Sequence, residues 1–138
     1  MTLRIGDLTV GLSLPERRHT PTNVSLFMYN AAVWNPHRIH YDAAYTTEVE
    51  RHPGIVVDGP LQGDWLAQCV TNWLAGDGVL ERFGYSNRRA SYLGETLISG
   101  GRVTAIDATN RRATLELWVK NARGDVISPG SATVRLNA

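Results

Sequence analysis

The sequence predicts an α+β domain in which an antiparallel sheet wraps one long helix. Two observations carry this reading. Between Pro60 and Leu74 the apolar positions Leu61, Trp65, Leu66, Cys69, Val70, Trp73 and Leu74 recur at spacings of three and four, the signature of a helix buried along a broad stripe. From residue 81 to 136 the texture changes to short segments rich in β-branched and aromatic residues, separated by turn chemistry.

The long helix has clear ends. Pro60 suits the first turn, where its missing N–H has no partner to lose, and Gly76 is a natural stop. Ahead of it, Gly54 to Asp58 reads as a short buried strand or extended segment feeding the helix. The later segments fall near 83–92, 96–107, 112–121 and 125–136, with turns at Leu93-Gly94-Glu95, Asp107 to Arg111 and Ala122 to Asp125. They are expected to form antiparallel meander strands around the helix. Edges of such a sheet need protection, and edge-to-edge dimerisation supplies it. Upstream, residues 24–33 form an amphipathic stretch that Thr22 or Asn23 can cap. That helix must end at Trp34-Asn35-Pro36, because the residue before a proline is pushed out of the α region.

Bulk properties narrow the function. A chain of 138 residues with 43% hydrophobic content is one ordinary domain, taken as 1–138. Its net charge of +1 with both signs scattered provides no basic face, so nucleic acid is not an expected partner. Apolar runs stop well short of the roughly 18 residues that span a bilayer, and MTLRIGDLTVG has no signal-peptide core. A soluble, cytoplasmic protein is expected, with no membrane partner. The single cysteine, Cys69, lies in the helical stripe and reads as a small buried hydrophobe.

The chemically densest segment is the loop Asn35 to Asp42, which holds two of the four histidines, an arginine, a carboxylate and a phenol. Histidine exchanges protons near neutral pH, so His40 or His37 is a candidate general base. Three other readings exist. His37, His40 and Asp42 are metal-ligand types, although no CxxC or HExxH pattern joins them. The same side chains can satisfy loop backbone groups. A serine-based triad lacks any G-x-S-x-G elbow.

The stretch Phe27 to Asp42 followed by Pro53 to Leu61 resembles the MaoC-like hotdog-fold hydratases and dehydratases that act on (R)-3-hydroxyacyl and enoyl thioesters. The branch with an N-x-H-R-I-H-Y-D loop and a P-G-x-V-V-x-G-P-L helix start, mesaconyl-CoA hydratase-like, is the nearest. The resemblance extends more weakly through Leu93 to Leu97 and the terminal strands. It implies a single hotdog domain, an acyl-CoA or acyl-carrier-protein substrate, no cofactor and no metal, and a homodimer or a heterodimer with a related chain. It places His40 as the base and Asn35 where the better-known loops carry an aspartate. An asparagine orients water through its amide but exchanges no proton at neutral pH. With asparagine here, His40 is expected to make both proton transfers or Asp42 to help, and Asn35→Asp is expected to leave activity intact. Gly59 is expected to offer its N–H to the thioester oxygen at the helix N-terminus, with Leu61 beside it. Arg88, Arg89 and Arg38 are candidates for CoA phosphates, and Asp42 for substrate contact. The expected reaction is reversible hydration of a trans-2-enoyl-CoA. The alternatives are a non-catalytic or half-catalytic subunit of a hetero-oligomeric hydratase, or an acyl-CoA thioesterase working through Asp58 or Asp64.

Overall fold

A computed structural model describes residues 2–138. In chain order it contains β1 (Arg17–His19), α1 (Asn23–Ala32), α2 (Ala43–Glu48), α3 (Gly59–Leu74), β2 (Gly78–Tyr85), β3 (Leu97–Asp107), β4 (Arg112–Lys120) and β5 (Val126–Leu136), with short 3-10 turns at Ile5–Asp7 and Arg38–His40. The five strands form one antiparallel sheet in the order β1-β3-β4-β5-β2. Helix α3 lies against the inner face of that sheet, which is the hotdog arrangement.

Alternation along the strands decides which face takes the helix. In β4, Ala113, Leu115, Leu117 and Val119 are buried while Arg112, Thr114 and Glu116 face outward. The inward set meets Leu66, Cys69, Val70 and Leu74 of α3 together with Leu97, Val103, Val134 and Leu136. Full burial of each such leucine or valine stabilises the fold by about 1.5–3 kcal/mol. Register shifts at Leu80/Arg82 in β2 and Val103/Ala105 in β3 are bulges, and bulges add the local bend and twist that a sheet curling around a helix requires.

Several boundaries differ from the sequence expectation. The strand expected near 83–92 is β2 at Gly78–Tyr85, and residues 86–92 instead form a loop. Pairing with β5 sets these limits, because the Gly78↔Leu136 register starts the ladder two residues after the helix stop. Residues 54–58, expected as a short buried strand or extended segment, are buried or half-buried and extended, with only an isolated bridge, Val56↔Tyr92. Helix α3 ends at Leu74 as expected; Ala75 takes the left-handed conformation (φ 48°) and Gly76 follows it (φ 92°). Cys69 is buried, as the stripe implied. On α1 only Leu26 and Asn30 are buried; Phe27 is 58% exposed and Trp34, just beyond the helix, 91%. The inward face of α1 thus presents an asparagine to the region where α3 begins.

Candidate active site

The site is assembled where three segments converge: the end of α1 with its following loop, the extended segment before α3, and the loop after β2. Thr22 caps α1 through a reciprocal bond with Ser25. The helix then stops at Val33, and Trp34 (φ 56°) reverses the chain so that Asn35-Pro36 leads into the 3-10 turn carrying His40. Asp42 ends that turn by accepting from Tyr45 N–H at 3.0 Å, which starts α2.

His40 is buried, and its orientation is settled by one bond. Its Nδ1 lies 2.8 Å from the carbonyl oxygen of Val56. A carbonyl only accepts, so Nδ1 carries the hydrogen and the Nε2 lone pair is left for other work. His40 lines a cleft of about 300 Å³ together with Ile39, Val56, Val57, Gly59, Gln62, Asn87, Arg88, Arg89 and Ala90. The expected base and the start of α3 therefore share one cavity.

Gly59 is required by close approach. A Cβ built there would sit 2.1 Å from Asn87 Nδ2 and 2.7 Å from Asn87 Cγ, against an ordinary contact of 3.4–4 Å. Asn87 is held in place by a 3.0 Å bond with Ser128, whose hydroxyl also meets the buried Gln62, and Gln62 in turn donates to Ser91. Gln62 and Asn87 of this polar chain line the cleft, and the chain was not foreseen from the sequence because its members are scattered over 66 positions. Among the described residues Gly59 N–H has no hydrogen-bond acceptor, which leaves it a donor at the N-terminus of α3.

Asp58 is the other residue the sequence reading underplayed. Its side chain is completely buried. It accepts from Asn30 Nδ2 at 3.0 Å and from Asn35 Nδ2 at 3.4 Å, and its Oδ1 lies 3.5 Å from His40 Nδ1. Burial pushes its carboxyl above the usual carboxylate range, while the Asn30 amide and His40 pull in the opposite direction. Asn35 faces both ways, with its oxygen accepting from His37 N–H at 3.2 Å. With an aspartate at 35, two carboxylates would meet across the present 3.4 Å contact, so the expectation that Asn35→Asp is silent is revised.

The remaining expected residues divide. Arg88 and Arg89 line the cleft and are exposed, with their backbone N–H groups anchored on Ile127. Arg38 and Asp42 are corrected: they pair with each other at 2.7 Å, Arg38 stacks over Tyr45 at 4.2 Å, and neither lines the cleft. Their i,i+4 spacing across the turn into α2 makes them partners before they can be ligands. Leu61 packs against the core and does not line the cleft either. His37 is exposed, with its ring 5.8 Å from that of His40. Among the described residues no group of three or more His, Cys, Asp or Glu is arranged to hold a metal, and no helix is long and apolar enough to cross a membrane.

Comparison with known proteins is consistent with this geometry. The mitochondrial hydroxyacyl-thioester dehydratase type 2 of Saccharomyces cerevisiae is 30% identical over 81 residues, covering 59% of this chain and 28% of the yeast protein. Mesaconyl-C(4)-CoA hydratase of Chloroflexus aurantiacus is 53% identical over 36 residues, covering 26% of this chain and 13% of that protein. The chain thus matches less than a third of the length of either curated relative. The (R)-hydratase of A. caviae involved in PHA biosynthesis superposes with a TM-score of 0.85 at 19% identity, over 94% of this chain and 98% of that one, which speaks for the fold. The family model described as hydroxyacyl-thioester dehydratase type 2 matches residues 13–93, more than half of the chain and all of the segments that build the cleft except Ile127 and Ser128 of β5. The chain belongs to the hydroxyacyl-thioester dehydratase type 2 family, on a MaoC-like hotdog fold.

Proposed function

We propose that this protein catalyses the reversible hydration of a trans-2-enoyl thioester to a 3-hydroxyacyl thioester, with coenzyme A as the thiol. The observation that carries the reading is the fixed tautomer of His40: Nδ1–H is committed to Val56, and the ring borders the same cleft as the free N–H of Gly59. In the hydration direction a water held by His40 Nε2 loses a proton to that nitrogen as its oxygen attacks the β-carbon. The electron pair moves to the thioester oxygen, where Gly59 N–H accepts the developing charge as a hydrogen-bond donor. The proton on Nε2 then passes to the α-carbon as the carbonyl re-forms. One imidazole serves both transfers, so hydrogen and hydroxyl arrive on one face of the double bond.

Arg88 and Arg89 at the mouth of the cleft suit the phosphates of coenzyme A, because a guanidinium donates in pairs to phosphate oxygens. The free edge of β2, with Val79, Phe83 and Tyr85 exposed, is where a second hotdog chain, identical or related, would continue the sheet. A thioesterase mechanism through Asp58 is disfavoured by its complete burial, and Asp64 is bonded to Tyr29 instead of facing the cleft.

The test is a panel of trans-2-enoyl-CoA thioesters of increasing size, following the conjugated double bond and free thiol together. Loss of the double bond without thiol release is the expected result. Thiol release identifies a thioesterase, and silence with every member overturns the reading of the chain as a self-sufficient hydratase.

A further inference from the structure

We propose that Asp58 is a positioning residue of this site, a buried carboxylate that holds the His40 imidazole and the Asn35 amide in working orientation and faces the positive charge that forms on His40. The inference rests on the hydratase reading for its kinetic consequences, but its structural basis is independent of that reading.

Four observations carry it. An aspartate immediately ahead of a helix ordinarily turns its side chain onto the first free N–H groups, yet Asp58 makes no capping bond to α3. It points instead toward His40, leaving the helix donors free. Second, the carboxylate is fully buried, and a buried carboxylate persists only where donors surround it. Its donors are Asn30 Nδ2 and Asn35 Nδ2, and the His40 ring lies beside it with Nδ1 3.5 Å from Oδ1 while the Nδ1 hydrogen goes to Val56 O. Third, Asn30 spends its amide hydrogens on Leu26 O and Asp58 and leaves its own buried oxygen without a partner. Turning the amide over would pair that oxygen with nothing and set it against the carboxylate, so the charge of Asp58 dictates the amide's direction. Fourth, Asn35 is fixed at both ends, oxygen to His37 N–H and nitrogen to Asp58. Asn35 is thereby tied to the same carboxylate that faces His40.

When Nε2 takes the proton from water, the ring becomes cationic; its Nδ1–H stays on Val56 O, and Nδ1 lies 3.5 Å from the Asp58 carboxylate oxygen. The carboxylate does not exchange a proton in this step. It favours the charged ring over the neutral one, so it acts on the transition state more than on substrate binding. Asn35 therefore needs no carboxylate of its own.

The experiment compares wild type, Asp58→Asn and the exchange variant Asn35→Asp/Asp58→Asn, which moves the carboxylate to the other end of the same contact. With an enoyl-CoA that wild type hydrates, Asp58→Asn is expected to lower kcat on the order of 10²-fold while KM changes by less than about twofold. The exchange variant is expected to regain about tenfold of that loss. In parallel, spectra of ¹⁵N-histidine-labelled protein are expected to show the His40 Nδ1–H resonance displaced in Asp58→Asn. Circular dichroism establishes folding, and Asp58→Ser replaces Asp58→Asn if the latter does not fold. A kcat within about twofold of wild type, or an unmoved His40 resonance, overturns the proposal. If wild type hydrates no thioester, the hydratase reading fails and the resonance alone decides: displaced, Asp58 still positions His40; unmoved, it does not.

Discussion

Replacing Gly59 by alanine probes the start of α3 with a single methyl group. The Cβ would fall 2.1 Å from Asn87 Nδ2, so the amide must retreat by more than an ångström to reach the ordinary 3.4–4 Å contact. Retreat breaks its 3.0 Å bond with Ser128, a loss of about 0.5–1.5 kcal/mol. In a domain of this size that lowers the melting temperature by about 2–6 °C, leaving a folded protein at room temperature. Activity is expected to fall much further. The displaced amide and the new methyl both occupy the space beside Gly59 N–H, and losing one donor to a developing oxyanion costs on the order of 10²–10³ in kcat. The assay is enoyl-CoA hydration at 25 °C beside a thermal melt. The double variant Gly59→Ala/Asn87→Ala removes the obstruction and is expected to recover activity relative to Gly59→Ala. Wild-type turnover in Gly59→Ala would refute the reasoning, since the thioester oxygen would then not depend on this N–H.

Three further outcomes follow from other parts of the molecule. His19 stacks on Trp65 at 4.1 Å and bonds Ser99, and burial, with Arg17 adding to it, lowers its pKa from 6.5 to about 4. Between those values the unfolded chain binds more protons than the folded one. The stabilising contribution is therefore complete above pH 6.5 and is lost as pH falls toward 4, which the His19 ring resonance and the melting temperature should follow; a ring titrating near 6.5 contradicts it. Ala75 holds a left-handed φ of 48° at the end of α3, so Ala75→Gly is expected to raise stability by about 0.5–1 kcal/mol in a urea melt. Asn35→Asp sets a second carboxylate across the 3.4 Å contact with Asp58, and its hydration rate is expected to decline as rising pH strips the proton the pair shares. A pH dependence like that of wild type would place the two carboxylates apart.

Much of this architecture is legible in the chain because it depends on long, regular patterns. The three-and-four spacing behind Pro60 delimits α3, and the alternation from Ala113 to Val119, bounded by turn residues, delimits β4. Elements without such patterns escape. β1 is Arg17-Arg18-His19, a charged edge strand that exists only because Ser99, Ile98 and Leu97 are opposite it. α2 is six residues long and depends on the cap from Asp42, so periodicity has too little length to register. The displaced start of β2 reflects pairing with β5, a contact more than 50 residues away.

The site shows the same division. His40, Asn35 and Gly59 are recognisable as a local motif, and the fold brings His40 and Gly59 to one cleft while Asn35 reaches it through Asp58. Arg38 and Asp42 lie inside the same motif but are consumed by each other. Asp58 gives a faint signal, an aspartate at a helix start, whose usual meaning is a cap; only the packing of α1 against it reveals that the side chain faces His40.

The central claim is that His40 Nε2 moves the proton in hydration. It is tested most directly by His40→Ala in the enoyl-CoA assay, with circular dichroism confirming the fold. Removing a positioned base is expected to reduce turnover by about 10²–10⁴-fold, with no thiol released. Hydration at the wild-type rate in folded His40→Ala protein would contradict the account.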